Sequence, residues 1–191
     1  MTEQNDIATL PPLEELQRGV ARSPRTGEPP RPAVLGVAAV VLYLAAAGVA
    51  AAYGIHWWQA AHPETYPASA RLIDWVDPAP GKWLSLTLEG VLAAAAVLAA
   101  GAPAVAGFQS WNGWRWGRWA GLLAVVLTGG FAALTSNWGL VAVGLAVVGS
   151  ALLWLPPISR YLADWDRVRA ERPVPYRRPE SIFYGRLPRF R

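Results

Sequence analysis

Apolar residues in this chain gather into four long runs, at 33–55, 84–108, 119–136 and 139–155, separated by short polar breaks. Each run approaches or exceeds the ~20 apolar residues that a helix needs to cross a hydrocarbon core. Backbone in lipid has to satisfy its own hydrogen bonds, and an α-helix does so within one segment. The pattern predicts an all-α, polytopic membrane protein with four transmembrane helices spanning residues 33–157. Tails at 1–32 and 158–191 flank this bundle.

The breaks carry further expectations. The one around Asn137 is very short, so the third and fourth helices should form an antiparallel hairpin. The break at 56–83 is long, and Ser69 to Val76 within it suits one or two helical turns. Pro103 removes a backbone donor inside the second run and should bend that helix. After Pro156 and Pro157 the residues Tyr161, Leu162, Trp165 and Val168 fall on one stripe, with arginines and aspartates opposite. That spacing predicts an amphipathic helix lying along the inner membrane face. A shorter amphipathic piece is read at Leu13, Leu16 and Val20, in a tail otherwise rich in proline and charge.

Charge sets the orientation. Residues 158–191 hold nine arginines against four acids, and the break at 111–118 holds Arg115 and Arg118 with no acid. By the positive-inside rule both are cytoplasmic, and four spans then place both termini there. The tryptophans agree. Trp57, Trp58, Trp75, Trp83 and Trp138 fall at the outer ends of the runs, and Trp111, Trp114, Trp116, Trp119 and Trp154 at the inner ends, as two interfacial belts. A cleaved leader is disfavoured for the first run, because the residues before it are many and include five acids. The expected location is the plasma membrane.

Composition removes several kinds of chemistry. There is no cysteine, which excludes disulfides, thiolate metal sites and cysteine nucleophiles. No phosphate loop, nucleophile elbow, zinc-protease helix or dinucleotide fingerprint is present. The spans hold few polar groups. Thr128, Thr135, Ser136 and Ser150 are ordinary helix-packing residues in membranes. The chain reads as a non-enzyme with no cofactor. His56, His62 and Glu64 lack the spacing of a metal site and read as exposed loop residues, and neither histidine is placed to hold haem.

Glu89 is the ionisable residue inside a span, and such residues are functional candidates because burying them is costly. Ser85 and Thr87 are near enough in sequence to share hydrogen bonds with it. The basic tail offers a contact surface for anionic phospholipid or for other membrane subunits: Trp165, Arg177, Arg178, Ile182, Phe183, Tyr184, Arg186, Leu187, Arg189, Phe190 and Arg191. Nucleic acid is disfavoured by Asp164, Asp166, Glu171 and Glu180 in the same tail.

Sixteen arginines against the single Lys82 suggest a GC-rich, bacterial coding sequence. In size, span count, composition and basic tail the chain resembles small four-helix proteins of actinobacterial membranes, including accessory subunits of the cytochrome bcc–oxidase supercomplex. The resemblance implies an accessory subunit of a respiratory, electron-transport complex. It carries no motif and assigns no residue. The alternative is a small proton-coupled transporter built around Glu89.

Overall fold

The structure, a computed structural model, describes residues 20–23 and 26–170. Among them six α-helices occur and no strand: α1 Ala33–Ala60, α2 Arg71–Val76, α3 Trp83–Trp111, α4 Gly117–Leu134, α5 Gly139–Leu152 and α6 Pro156–Ala170. A single 3-10 turn, Tyr66–Ala68, precedes α2. The predicted helical turns between Ser69 and Val76 are therefore present.

Helices α1, α3, α4 and α5 form an up-and-down bundle. α1 packs on α3 and α5, and α4 packs on the same two, so α1 and α4 stand at opposite corners. The buried positions explain the arrangement. On α1 Leu35, Ala38, Leu42, Ala45, Val49, Ala52 and His56 alternate steps of three and four, with Ala39 buried beside them. On α3, Ser85, Leu92, Ala96, Ala99, Pro103, Ala106 and Ser110 keep the same register. A 3.5-residue period keeps one seam facing the neighbours over a long distance. Alanine and glycine on that seam bring the backbones close, which is how helices associate in lipid. At Gly149 a Cβ would stand 2.8 Å from Leu42 Cγ, so α5 reaches α1 only because that side chain is missing.

The outward faces are apolar. Val97 and Val126 are 72% and 69% exposed, and Val40, Leu44, Leu98 and Val141 are exposed with them. A surface of this kind suits lipid rather than water. Three helices, α1, α3 and α4, are long and apolar enough to cross a membrane. The chain is accordingly a helical membrane protein of the polytopic kind.

The fourth run differs from the expectation at 139–155. α5 has only 14 residues, about 21 Å at the usual rise. It gives way at residues 153–155 to α6, which turns by 62° and completes a fourth crossing only if the bent pair acts as one span. Pro156 and Pro157 account for the break, since neither offers a backbone donor to the preceding turn. α4 is shifted by two residues towards the N-terminus, to 117–134 against the expected 119–136, while α1 and α3 overrun their predicted ends. α1 continues to Ala60 rather than stopping at 55, and α3 runs unbroken through the buried Pro103 to Trp111.

The ten tryptophans assigned to the two belts are all exposed, from 37% at Trp111 to 76% at Trp83. α6 does not lie free on a membrane face. Ile158, Tyr161 and Leu162 are buried in one cluster with Leu35, Leu42, Ala106 and Leu153. Tyr161 Oη donates to Trp111 O at 2.8 Å, and Arg169 donates to Gly113 O at 2.7 Å and Asn112 O at 2.8 Å. Trp165 is half-buried, its indole filling the space where a Cβ would stand on Gly113. Gly113 has φ +74°, so both backbone and packing require glycine there. α6 thus plugs the end of the bundle that the arginine count reads as the inner one, and its apolar stripe is consumed by the chain itself.

Candidate functional site

The heptad seam of α1 ends on His56, and the matching seam of α3 begins near Glu89. Their side chains meet between the two helices, with His56 Nε2 2.8 Å from Glu89 Oε2. His56 Nδ1 lies 3.1 Å from Ser69 O, in the loop folded over this end. The His56 side chain is 1% exposed and that of Glu89 20%. This corrects the reading of His56 as an exposed loop residue. The helix runs five residues past Ile55, and the seam turns His56 inward to face α3. Ser85 and Thr87 do not serve Glu89. Their hydroxyls donate to Lys82 O and Trp83 O on their own helix, each at 2.8 Å.

Hydrogen-bond chemistry fixes how many protons this pair carries. Ser69 O only accepts, so the imidazole hydrogen on that side sits on Nδ1. A second hydrogen lies between Nε2 and Oε2, since two bare lone pairs would repel at that distance. The pair is then neutral as a whole, as imidazolium–carboxylate or as imidazole–carboxylic acid. A buried charge with a partner of this kind is tolerated where a lone one is not.

Glu89 has a second oxygen, Oε1, which is buried and has no hydrogen-bond partner. It borders a cavity of about 250 Å³ whose lining includes Trp57, Tyr66, Pro80, Ser85 and Leu86. The Tyr66 hydroxyl is also buried without a partner. Burial, and then the negative charge of Glu89, push this phenol above its ordinary value of 10.0. The Ser85 hydroxyl beside it acts the other way, but its proton is given to Lys82 O and no well-formed bond joins the two. Tyr66 therefore stays protonated and able to donate.

Beneath the pair the packing is mainly apolar. Leu92 lies under Glu89, followed by Val49, Ala52, Ala96, Ala99, Phe131 and Ala142. The hydroxyls of Thr128 and Thr135 are tied to Ala124 O and Phe131 O of their own helix at 2.8 Å each. No protein family, curated protein or solved structure matches the chain. The site is thus defined by its own geometry.

The remaining candidates stand apart from it. His62 contacts Trp58 O through Nδ1 at 2.8 Å and lies tilted against the Trp58 ring, with centroids 4.9 Å apart. Glu64 is exposed. Among the described residues no three His, Asp or Glu side chains gather as metal ligands. Trp165, read as a lipid or partner contact, is held by Gly113 and by Arg169, whose guanidinium lies 4.9 Å from its ring. Arg177, Arg178, Ile182, Phe183, Tyr184, Arg186, Leu187, Arg189, Phe190 and Arg191 lie outside the described residues, as does most of the short amphipathic piece at Leu13 and Leu16.

Two residues that sequence reasoning passed over shape the outer end. Arg71 donates to Ala132 O at 2.9 Å and to Asn137 Oδ1, while its amide donates to Thr135 O at 2.9 Å. It caps the carbonyl end of α4, where a cation is favoured, and clamps the outer loop over the pair. Tyr66 completes the cavity wall. The period of α1 was the signal available for His56, since Leu35, Leu42, Val49 and His56 are spaced by seven. Nothing local marks Arg71 or Tyr66.

Proposed function

We propose that this chain is a non-enzymatic, four-span subunit of the plasma membrane, with both termini in the cytoplasm, that packs against a larger membrane complex. The observation that carries this reading is the mainly apolar packing below Glu89. Carriers need a route reachable from both faces, and here the packing from Leu92 inward is mainly apolar, with Ser110, Thr128 and Ser150 as its buried hydroxyls. A bundle packed in this way acts through its surfaces. The orientation rests on the excess of arginine at the inner loop and tail. Counting four spans treats α5 and α6 as one bent crossing. Aromatic and arginine anchors in the tail are the residue types that dominate interface energetics. A respiratory-chain complex is the partner suggested by the resemblance to actinobacterial accessory subunits.

Affinity purification of the whole chain in mild detergent tests this. A stoichiometric membrane partner is the expected result, and deletion of residues 179–191 should weaken its recovery while leaving the protein inserted. Recovery of the chain alone overturns the reading.

A second reading is favoured by the His56–Glu89 pair itself. A shared proton beside a cavity suits a small proton-coupled transporter. In that case Glu89→Gln abolishes proton-driven uptake in proteoliposomes while insertion persists. Uptake unchanged in that variant removes it.

A further inference from the structure

The inner end of the bundle carries a cleft distinct from the histidine–glutamate site. It has a volume of about 320 Å³ and is lined by Arg115, Trp116, Arg118, Trp119 and Trp154. Arg118 is its central group. The guanidinium lies 5.4 Å from the Trp154 ring, which meets Trp119 edge-on with centroids 5.6 Å apart. Its Nε and Nη2 are buried and have no hydrogen-bond partner. These two nitrogens form one edge of the guanidinium, the kind of edge that takes two oxygens of a phosphate through parallel bonds. A guanidinium cannot shed its proton to escape this situation. Leaving its donors unmatched in a sheltered place is costly, and an anion removes the cost.

The charge of the neighbourhood agrees. Arg115 adds a second cation, and its contact with Asp166, at 3.2 Å, is exposed. No acid faces Arg118 from α4, α5 or the loop before it among the described residues. The surroundings also say what sort of anion fits. Trp116, Trp119 and Trp154 are 46%, 66% and 43% exposed. Indoles at the end of an apolar span sit at headgroup level. A phosphate held there would have its ester chains running beside the apolar outer faces of α4 and α5, where Leu122, Leu123 and Val148 are exposed.

We propose that this cleft is a binding site for the phosphate of an anionic phospholipid in the leaflet at the inner end, with Arg118, once its guanidinium turns the buried edge towards the cleft, as the bidentate ligand and Arg115 as the supporting charge. The inference rests on the membrane reading of the bundle.

The test uses the full chain in a neutral detergent, with lipid retention counted by native mass spectrometry. Phosphatidylglycerol, phosphatidylcholine and inorganic phosphate are the probes. Wild type should retain one phosphatidylglycerol in preference to phosphatidylcholine. Arg118→Gln should weaken that retention about five- to tenfold, the scale of one sheltered arginine contact. Arg118→Lys, which keeps the charge without the fork, should fall between. Arg160→Gln, on the exposed side of α6, should retain lipid like wild type. Equal retention by wild type and both Arg118 variants overturns the site. Displacement of the lipid by inorganic phosphate at matched concentration also overturns it, in favour of a free-anion site. Membrane insertion is scored separately by resistance to alkaline extraction. An inserted protein without lipid preference defeats this proposal and leaves the span reading standing, whereas an extracted protein defeats the span reading first.

Discussion

The two ends of the bundle close in the same way but shelter groups of opposite charge. Each must close a set of helix termini whose last carbonyls lack partners. At the outer end Arg71 reaches Ala132 O and Asn137, and at the inner end Arg169 reaches Asn112 O and Gly113 O. In both, one guanidinium from the segment folded over the end grips the C-terminus of a neighbouring helix, where the dipole favours a cation. Beyond that the ends diverge. The outer end buries an acid, Glu89, and supplies its own base, His56. The inner end shelters a base, Arg118, and supplies no acid to its Nε edge. An internal pair makes the outer end self-sufficient, while the inner end is left to find its counter-charge elsewhere.

The largest expected effect comes from breaking the outer pair. His56→Ala leaves Glu89 sheltered without its partner and should cost about 3–5 kcal/mol, the usual penalty for orphaning a buried charge. Denaturant unfolding in micelles measures it. The double replacement His56→Leu with Glu89→Leu should recover most of that loss. If the double variant is as unstable as the single, the pair is not the energetic unit described above.

Overpacking the seam between the ends comes next. A Cβ on Gly149 meets Leu42 at 2.8 Å, so Gly149→Val should cost about 1–3 kcal/mol by forcing α5 away from α1. Gly144 has open space where its Cβ would be. Gly144→Val should therefore leave stability nearly unchanged, and equal losses at the two positions would refute the seam.

The two arginine clamps sharpen the comparison. Arg169 holds two carbonyls and also lies 4.1 Å from the Trp114 ring and 4.9 Å from Trp165. Arg169→Ala should cost ~2 kcal/mol and Arg71→Ala ~1 kcal/mol, by the loss of charged hydrogen bonds and ring contacts. Hydrogen exchange should speed up across α6 in the first and across α2 in the second. Exchange that rises equally at both ends in each variant would mean the ends are not closed independently.

The smallest effect concerns Tyr66. Its hydroxyl has no partner, so Tyr66→Phe should be close to neutral near pH 7. At high pH the two proteins should separate. The folded phenol is held above 10.0 by burial and by Glu89. The unfolded phenol loses its proton first, so the unfolded state binds fewer protons than the folded one. Stability from this group is complete below pH 10 and falls as pH rises from there towards the folded value. Tyr66→Phe should lack that portion of the alkaline loss. Identical alkaline profiles would show that the phenol ionises freely in the folded protein.

Much of the architecture was legible in order along the chain. Hydropathy located the apolar helices, the length of the 56–83 break allowed its small helices, and the tryptophans expected at the ends of the runs are exposed. These depend on a residue's own transfer free energy, which sequence carries directly. The ends of the helices were less legible. α1 gained five residues because His56, polar by type, is apolar by position: its polar atoms are matched by Ser69 O and Glu89. α5 lost three because the two prolines act upstream of themselves.

Sequence by itself determined that these helices would be driven into lipid, and it placed a lone acid on the second of them. Spacing by seven from Leu35 even contained the burial of His56. Only the tertiary structure decided that Glu89 and His56, 33 residues apart, would share a proton. The same holds for the amphipathic stripe of α6, which closes its own bundle instead of resting on the membrane. Periodicity says which face of a helix is buried. What that face meets depends on which corner of the bundle each helix takes, and that is set by contacts such as Gly149 against Leu42 that join distant parts of the chain.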